Sequence, residues 1–183
     1  MIALVPEIRI FEWQIKIRGS PDKTIVEPLL KSIRDGVTVQ LEELTLYIGP
    51  GLRYIEPNLV SSAVLKVEDC TIFGLSRSQL LAILDGVIHN TNTTLRFLKY
   101  GGCWETQNVA PNILAEAAMK LESLEVFYLH TIQLYAIFTW LAATPDSRLK
   151  NLRFCGPGNV RQMDPEVVKT ALAKLESVGP LWT

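Results

Sequence analysis

Short stretches in which hydrophobic and polar residues alternate recur along the chain. LEELTL at Leu41–Leu46, TLRFLKY at Thr94–Tyr100, SLEVFYL at Ser123–Leu129 and RLKNLRF at Arg148–Phe154 share the spacing Leu-x-x-Leu-x-Leu, and VLKVEDC at Val64–Cys70 is a weaker copy. Period-2 alternation predicts half-exposed strands of about four or five residues. Trp13, Ile15 and Ile17 alternate with Glu12, Gln14, Lys16 and Arg18, so a further strand is predicted there without any leucine. With the second leucine of each copy as a register mark, the marks are Ile15, Leu44, Leu65, Leu98, Phe127 and Leu152, at intervals of 29, 21, 33, 29 and 25 residues.

The gaps between strands carry helical spacing and start signals. Ser20-Pro21 precedes Ile25, Leu29, Leu30 and Ile33 as a cap followed by a first-turn proline. Ser76-x-x-Gln79 is a capping box ahead of Leu80, Leu81, Ile83, Leu84 and Val87. Pro111 opens a helix with Ile113, Leu114, Ala117, Ala118 and Leu121 on its apolar stripe, and Asp164-Pro165 opens the last, with Val167, Val168, Ala171, Leu172 and Leu175. Gln133 to Ala143 is apolar nearly all round, which predicts a helix covered on both sides. The exception is Ile48 to Ser61, where Gly49, Pro50, Gly51 and Pro57 predict an extended or one-turn connection; an extra loop is expected around Phe73–Ser76. Six strands and five helices result.

Short strands alternating with helices predict a parallel sheet joined by right-handed crossovers. Repeats of this length cannot bury both faces alone, so neighbours stack on a shared core. The Leu-x-x-Leu-x-Leu residues resemble the leucine-rich repeat family. The helix-bearing spacing, with Cys70 and Cys103 at the Asn/Cys position after a strand, resembles its ribonuclease-inhibitor-like branch, from about Ile8 to Leu175. Phe127, Gly49, Ile132 and Pro157 depart from the expected Leu or Asn/Cys residues, which bears on the regularity of curvature. The resemblance implies an α/β right-handed solenoid, with a curved parallel sheet on the concave side and helices on the convex side. It would form a single domain over residues 1–183 of about six strand units; the first residues, MIALVPEIRIFEW, lack the polar outer face of a repeat cap, so a fragment of a longer protein is expected.

Composition narrows the class of partner. With 18 Lys+Arg against 19 Asp+Glu the net charge is −1, so no global attraction to nucleic acid or to a membrane is expected. No apolar run is long enough for a transmembrane helix. The three cysteines, Cys70, Cys103 and Cys155, read as reduced thiols of the cytosol or nucleus, and a cytoplasmic location is expected. His89 and His130 are too few for a metal cluster, and His89 suits a helix C-terminus. Gly-x-Ser-x-Gly, P-loop and dinucleotide-loop motifs do not occur, and Gly156-Pro157-Gly158-Asn159 reads as a strand-exit turn. No enzyme, no cofactor and no metal are expected.

Alternation assigns the outward positions of each strand. The central file becomes Lys16, Thr45, Lys66, Lys99, Tyr128 and Arg153, four of the six cationic, with Lys99 and Arg153 placed to approach the Tyr128 ring. Phe97 lies beside this file, and Tyr47 and His130 stand at strand ends on the same side. Clustered aromatic and arginine residues are typical of binding hot spots, although any solvent-facing strand carries lysine readily. The expected function is therefore non-catalytic binding of another protein, one with an acidic surface, through the concave sheet. Its contact residues would be Lys16, Tyr47, Lys66, Phe97, Lys99, Tyr128, His130 and Arg153. The family resemblance implies segments of innate-immune receptors, inhibitors or ubiquitin-ligase adaptors. The competing expectation is a self-associating structural or regulatory segment of a larger receptor or adaptor, with Trp13 and Trp182 at the two ends. Leu98 and Phe127 are both expected in the core.

Overall fold

A computed structural model describes residues 7–10, 14–19, 23–36, 41–48, 53–102, 108–156, 161 and 163–180. Among the described residues, eight strands and six helices follow one another. The strands are β1 (Glu7–Ile10), β2 (Gln14–Gly19), β3 (Glu43–Ile48), β4 (Asp69–Leu75), β5 (Phe97–Gly102), β6 (Ser123–Phe127), β7 (Asn151–Cys155) and β8 (Ser177–Pro180). The helices are α1 (Lys23–Arg34), α2 (Pro57–Val64), α3 (Arg77–His89), α4 (Pro111–Ala118), α5 (Thr131–Ala143) and α6 (Pro165–Leu172). All strands form one sheet in chain order; β2 to β8 are parallel and β1 is an antiparallel edge strand. The fold is α/β, built on a parallel sheet of seven strands.

Register follows from how each strand begins. The N–H groups of Glu68 and Asp69 both donate to the Glu42 carbonyl, at 3.1 and 2.8 Å, and the same pairing of two N–H groups to one carbonyl recurs four more times. It joins Arg96 and Phe97 to Glu68, Glu122 and Ser123 to Arg96, Lys150 and Asn151 to Glu122, and Glu176 and Ser177 to Lys150. The level positions are then Ile15, Leu44, Cys70, Leu98, Leu124, Leu152 and Val178, at intervals of 29, 26, 28, 26, 28 and 26 residues. Leu65 and Phe127 are thus not the register marks expected from the sequence.

The error at Leu65 has a specific cause. Val64 is the last residue of α2, and Leu65 and Val67 are buried in the turn after it while Lys66 is exposed. An alternating burial pattern exists there, but a turn pressed onto the core produces it. The connection expected over Ile48 to Ser61 is likewise corrected: Pro57 sits at the first position of α2, where its missing N–H costs nothing. No extra loop follows Phe73; β4 runs to Leu75, with Gly74 at φ 91° absorbing a bulge.

A unit of 54 residues emerges. Pro57, Pro111 and Pro165 each open an eight-residue helix, 54 positions apart. Ser76 caps α3 through the predicted capping box, with Gln79 N donating to Ser76 Oγ at 3.3 Å. His130 holds the same place before α5, its N–H donating to Gln133 Oε1 at 3.2 Å. Buried Gln79 and Gln133 donate from Nε2 to the Ile55 and Val109 carbonyls at 2.8 and 2.9 Å, tying each long helix to the segment before the preceding short one.

One continuous core lies between the helices and one face of the sheet. Ile15, Ile17, Leu44, Leu46, Cys70, Ile72, Leu98, Tyr100, Leu124 and Val126 supply its sheet side. Burial raises the titration points of the Cys70 thiol and the Tyr100 hydroxyl. Leu98 is in this core as expected; Phe127, one position past Val126, faces the other way and is only half-buried. The helix α5 is covered on one side only: Leu134, Ile137, Phe138 and Leu141 are buried, whereas Ile132 and Tyr135 are 66% and 42% exposed. Trp13, Trp182, Ser20-Pro21 and Cys103 lie outside the described residues. Among those described, no helix is long and apolar enough to cross a membrane.

Candidate interaction face

Among the described residues, no helix lies on the second face of the sheet. Its side chains stand in three columns, fixed by the register. The opening column is Gln14, Glu43, Asp69, Phe97, Ser123, Asn151 and Ser177; the middle column is Lys16, Thr45, Thr71, Lys99, Glu125, Arg153 and Gly179. The third holds Arg18, Phe73, Gly101, Phe127 and Cys155. Neighbours within a column are about 4.8 Å apart, so adjacent side chains touch.

Charge on this face is mixed rather than basic. Glu125 stands between Lys99 and Arg153, with Lys99 Nζ 2.7 Å from its Oε2 and Arg153 Nη1 3.6 Å from its Oε1. Lys16 Nζ lies 3.5 Å from Glu43, which also accepts hydrogen bonds from Gln14 and Thr45. These half-exposed pairs contribute little to stability, but they hold the lysines and the arginine in place. Lys16, Lys99 and Arg153 each therefore have a carboxylate partner within the chain.

Asp69 differs from its neighbours. Among the described residues it has no ion pair, although it is half-buried. Desolvation raises its carboxyl above the ordinary value, and Glu43 and Glu125 add to that shift against Lys99. Two clefts share Asp69 and Phe97. One of about 240 Å³ is lined further by Thr71, Lys99, Ser123 and Glu125, the other of about 280 Å³ by Glu42, Glu43 and Glu68.

Beside these clefts Arg96 occupies a built cation site. Its Nε and Nη2 donate to the two Glu122 oxygens at 2.7 Å each, its Nη1 donates to Glu68 at 2.7 Å, and its guanidinium lies 5.5 Å from the Phe97 ring centroid. The hydrogen bonds to Arg96 hold Glu122 below its ordinary value. In the third column the Phe73 and Phe127 rings meet edge to face at 5.0 Å across Gly101. A Cβ on Gly101 would come within 2.4 Å of the Phe73 ring, so only glycine admits this pair. Lys99 Nζ lies 5.8 Å from the Phe127 ring, not against Tyr128 as expected.

The chain matches no family model, curated protein or solved structure.

Of the contact residues expected from the sequence, Lys16, Phe97, Lys99 and Arg153 stand on this face. Tyr47 belongs to the third column by its backbone, and its side chain lies outside the described residues. Lys66 does not reach the face; it lies in the turn after α2, lining a separate recess of about 340 Å³ with Glu68, Arg96 and Arg148. Tyr128 lies past the end of β6 with φ 70°, and His130 caps α5. Both are displaced because the register mark is Leu124, three residues earlier than the sequence pattern placed it. Asp69, Thr71, Phe73, Glu125 and Phe127 are the residues missed. The repeated Lys-x-Glu at Lys66, Lys120 and Lys174, each nine residues after its proline, marks where β4, β6 and β8 begin.

Proposed function

We propose that the chain is a leucine-rich-repeat solenoid of the ribonuclease-inhibitor-like kind, one domain over 1–183, that binds another protein through its concave, helix-free sheet. The observation that carries this reading is the sheet face on which, among the described residues, no helix lies: Gln14 and Thr45 are buried at its β2–β3 end, while half-buried Phe73, Phe97 and Phe127 stand among ion-paired groups along the rest. Regular 26–29-residue spacing of the level positions and paired 54-residue units support the solenoid. We read the function as non-catalytic binding, with Glu43 and Glu125 of the face paired to Lys16, Lys99 and Arg153. Buried Cys70 and half-buried Cys155 are free thiols, which fits a reducing, cytoplasmic setting.

Capture from lysate of the native source, quantified by mass spectrometry, tests this. A Thr71→Trp variant fills the centre of the face without touching the core, and Tyr135→Lys alters the outer surface of α5. Partners lost with Thr71→Trp and kept with Tyr135→Lys support the sheet face; the reverse pattern refutes it. Self-association is the second reading, favoured by exposed Ile132, Tyr135 and Trp140 on one helix. A mass that rises with concentration and returns to the monomer in Tyr135→Lys would establish it.

A further inference from the structure

We propose that the occupant of this face is a cationic protein segment, with an arginine or lysine side chain seated against Asp69 and its stem along Phe97. This rests on the reading of the sheet as the partner surface. Lys16, Lys99 and Arg153 are already paired to Glu43 and Glu125, whereas Asp69 and the adjacent exposed Glu42 have no ion pair among the described residues. Carboxylate doublets open β3 and β4, at Glu42-Glu43 and Glu68-Asp69, while β5 and β7 open on Arg96-Phe97 and Lys150-Asn151. Glu43 and Glu68 are paired with Lys16 and Arg96, so the carboxylates around β3 and β4 that lack an ion pair among the described residues are Glu42 and Asp69, and charge complementarity selects a cation there.

The shape agrees with a single side chain. Both clefts that meet at Asp69 fall below the roughly 300 Å³ at which small-molecule sites begin. Arg96 already demonstrates the chemistry at the same ring, held between the carboxylates of Glu68 and Glu122 with Phe97 beside its guanidinium. A second guanidinium on the Asp69 side of Phe97 would meet the equivalent surroundings. It would also favour the ionised form of Asp69, which burial now opposes.

The probe is a fluorescein-labelled hexa-arginine peptide, followed by anisotropy at low salt, with hexa-glutamate of equal length beside it. The expected result is binding of hexa-arginine that the Glu42→Gln/Asp69→Asn double variant weakens about tenfold. The control Asp146→Asn/Glu166→Gln removes the same two charges from exposed sites away from the face and should change binding less than about twofold. Equal weakening in both double variants, no binding, or tighter binding of hexa-glutamate overturns the proposal. If hexa-arginine ignores Asp69 while Thr71→Trp still abolishes partner capture, the cationic occupant is wrong and the sheet-face reading stands. If Thr71→Trp also leaves capture intact, both fall.

Discussion

Helices α3 and α5 hold the same place in successive 54-residue units and meet solvent with opposite chemistry. Their inner faces correspond one to one: Gln79, Leu80, Ile83, Leu84 and Val87 against Gln133, Leu134, Ile137, Phe138 and Leu141, all buried. Their outer faces do not. Ser78, Asp85 and His89 on α3 are exposed polar groups, where α5 has Ile132, Thr139 and Ala143, with Tyr135 in place of Leu81 and Trp140 in place of Gly86. The turns before them differ as well, Gly74 at φ 91° against Tyr128 at φ 70°. The scaffold is specified by the shared inner face and by the Gln anchors. The outer face of α5 departs from its counterpart without any demand from the fold.

The largest test of that equivalence is in the core. Leu84→Ala and Phe138→Ala should cost about 2–5 and 3–5 kcal/mol by denaturant unfolding; a loss near zero at either would mean that the two helices are not packed alike. Next come the anchors. Gln79→Ala and Gln133→Ala each orphan a buried carbonyl and should cost about 1–3 kcal/mol, by similar amounts. The turns should respond in opposite directions: Gly74→Ala destabilises by about 1–2 kcal/mol, whereas Tyr128→Gly relieves a strained backbone and stabilises by up to about 1 kcal/mol. Ile132→Ser, which copies Ser78 onto α5, should leave stability within about 0.5 kcal/mol. A greater loss would show that α5 packs against something on its outer side.

The smallest effect is in pH. Asp69 opens β4 and Glu122 directly precedes β6, and their carboxyls move oppositely. Asp69, raised above 3.8 by burial first, weakens the fold when ionised; its penalty is relieved as pH falls through its native value. Glu122, lowered below 4.5 by its hydrogen bonds to Arg96, stabilises above the ordinary value, and that contribution is lost as pH falls through its native value. Carboxyl ¹³C titration should find Asp69 above 3.8 and Glu122 below 4.5, and Asp69→Asn should raise the melting temperature at neutral pH. Coincident, unshifted titrations would remove the distinction between paired and unpaired carboxylates on which the charge pattern of the face depends.

The alternation of strands and helices, the Ser76–Gln79 capping box, the helix starts at Pro111 and Pro165 and the burial of Leu98 were legible in the sequence, because each depends on local spacing. Register was not legible at β4 and β6. Val64–Cys70 alternates for a reason unrelated to a strand, and in SLEVFYL the repeat spacing falls on Phe127 rather than Leu124; only the pairing of Glu68 and Asp69 to Glu42, and of Glu122 and Ser123 to Arg96, decides between phases. Shifts of five and three residues moved Lys66 and Tyr128 onto the face and hid Asp69, Thr71 and Glu125. The charge of the face was therefore misread. Comparing Pro57, Pro111 and Pro165 in one alignment of the chain with itself would have exposed the 54-residue unit and corrected both.

The phase of β4 carries the whole account of the face, and cysteine accessibility measures it directly. In a Cys103→Ser/Cys155→Ser background, Asp69→Cys, Thr71→Cys and Phe73→Cys are each labelled in the folded protein alongside native Cys70 and Ile72→Cys. Ready labelling is expected at 69, 71 and 73, with Cys70 and position 72 protected until the chain unfolds. Rapid labelling of Cys70 with protection at 71 would put Lys66 and Glu68 back on the open face and contradict this phase.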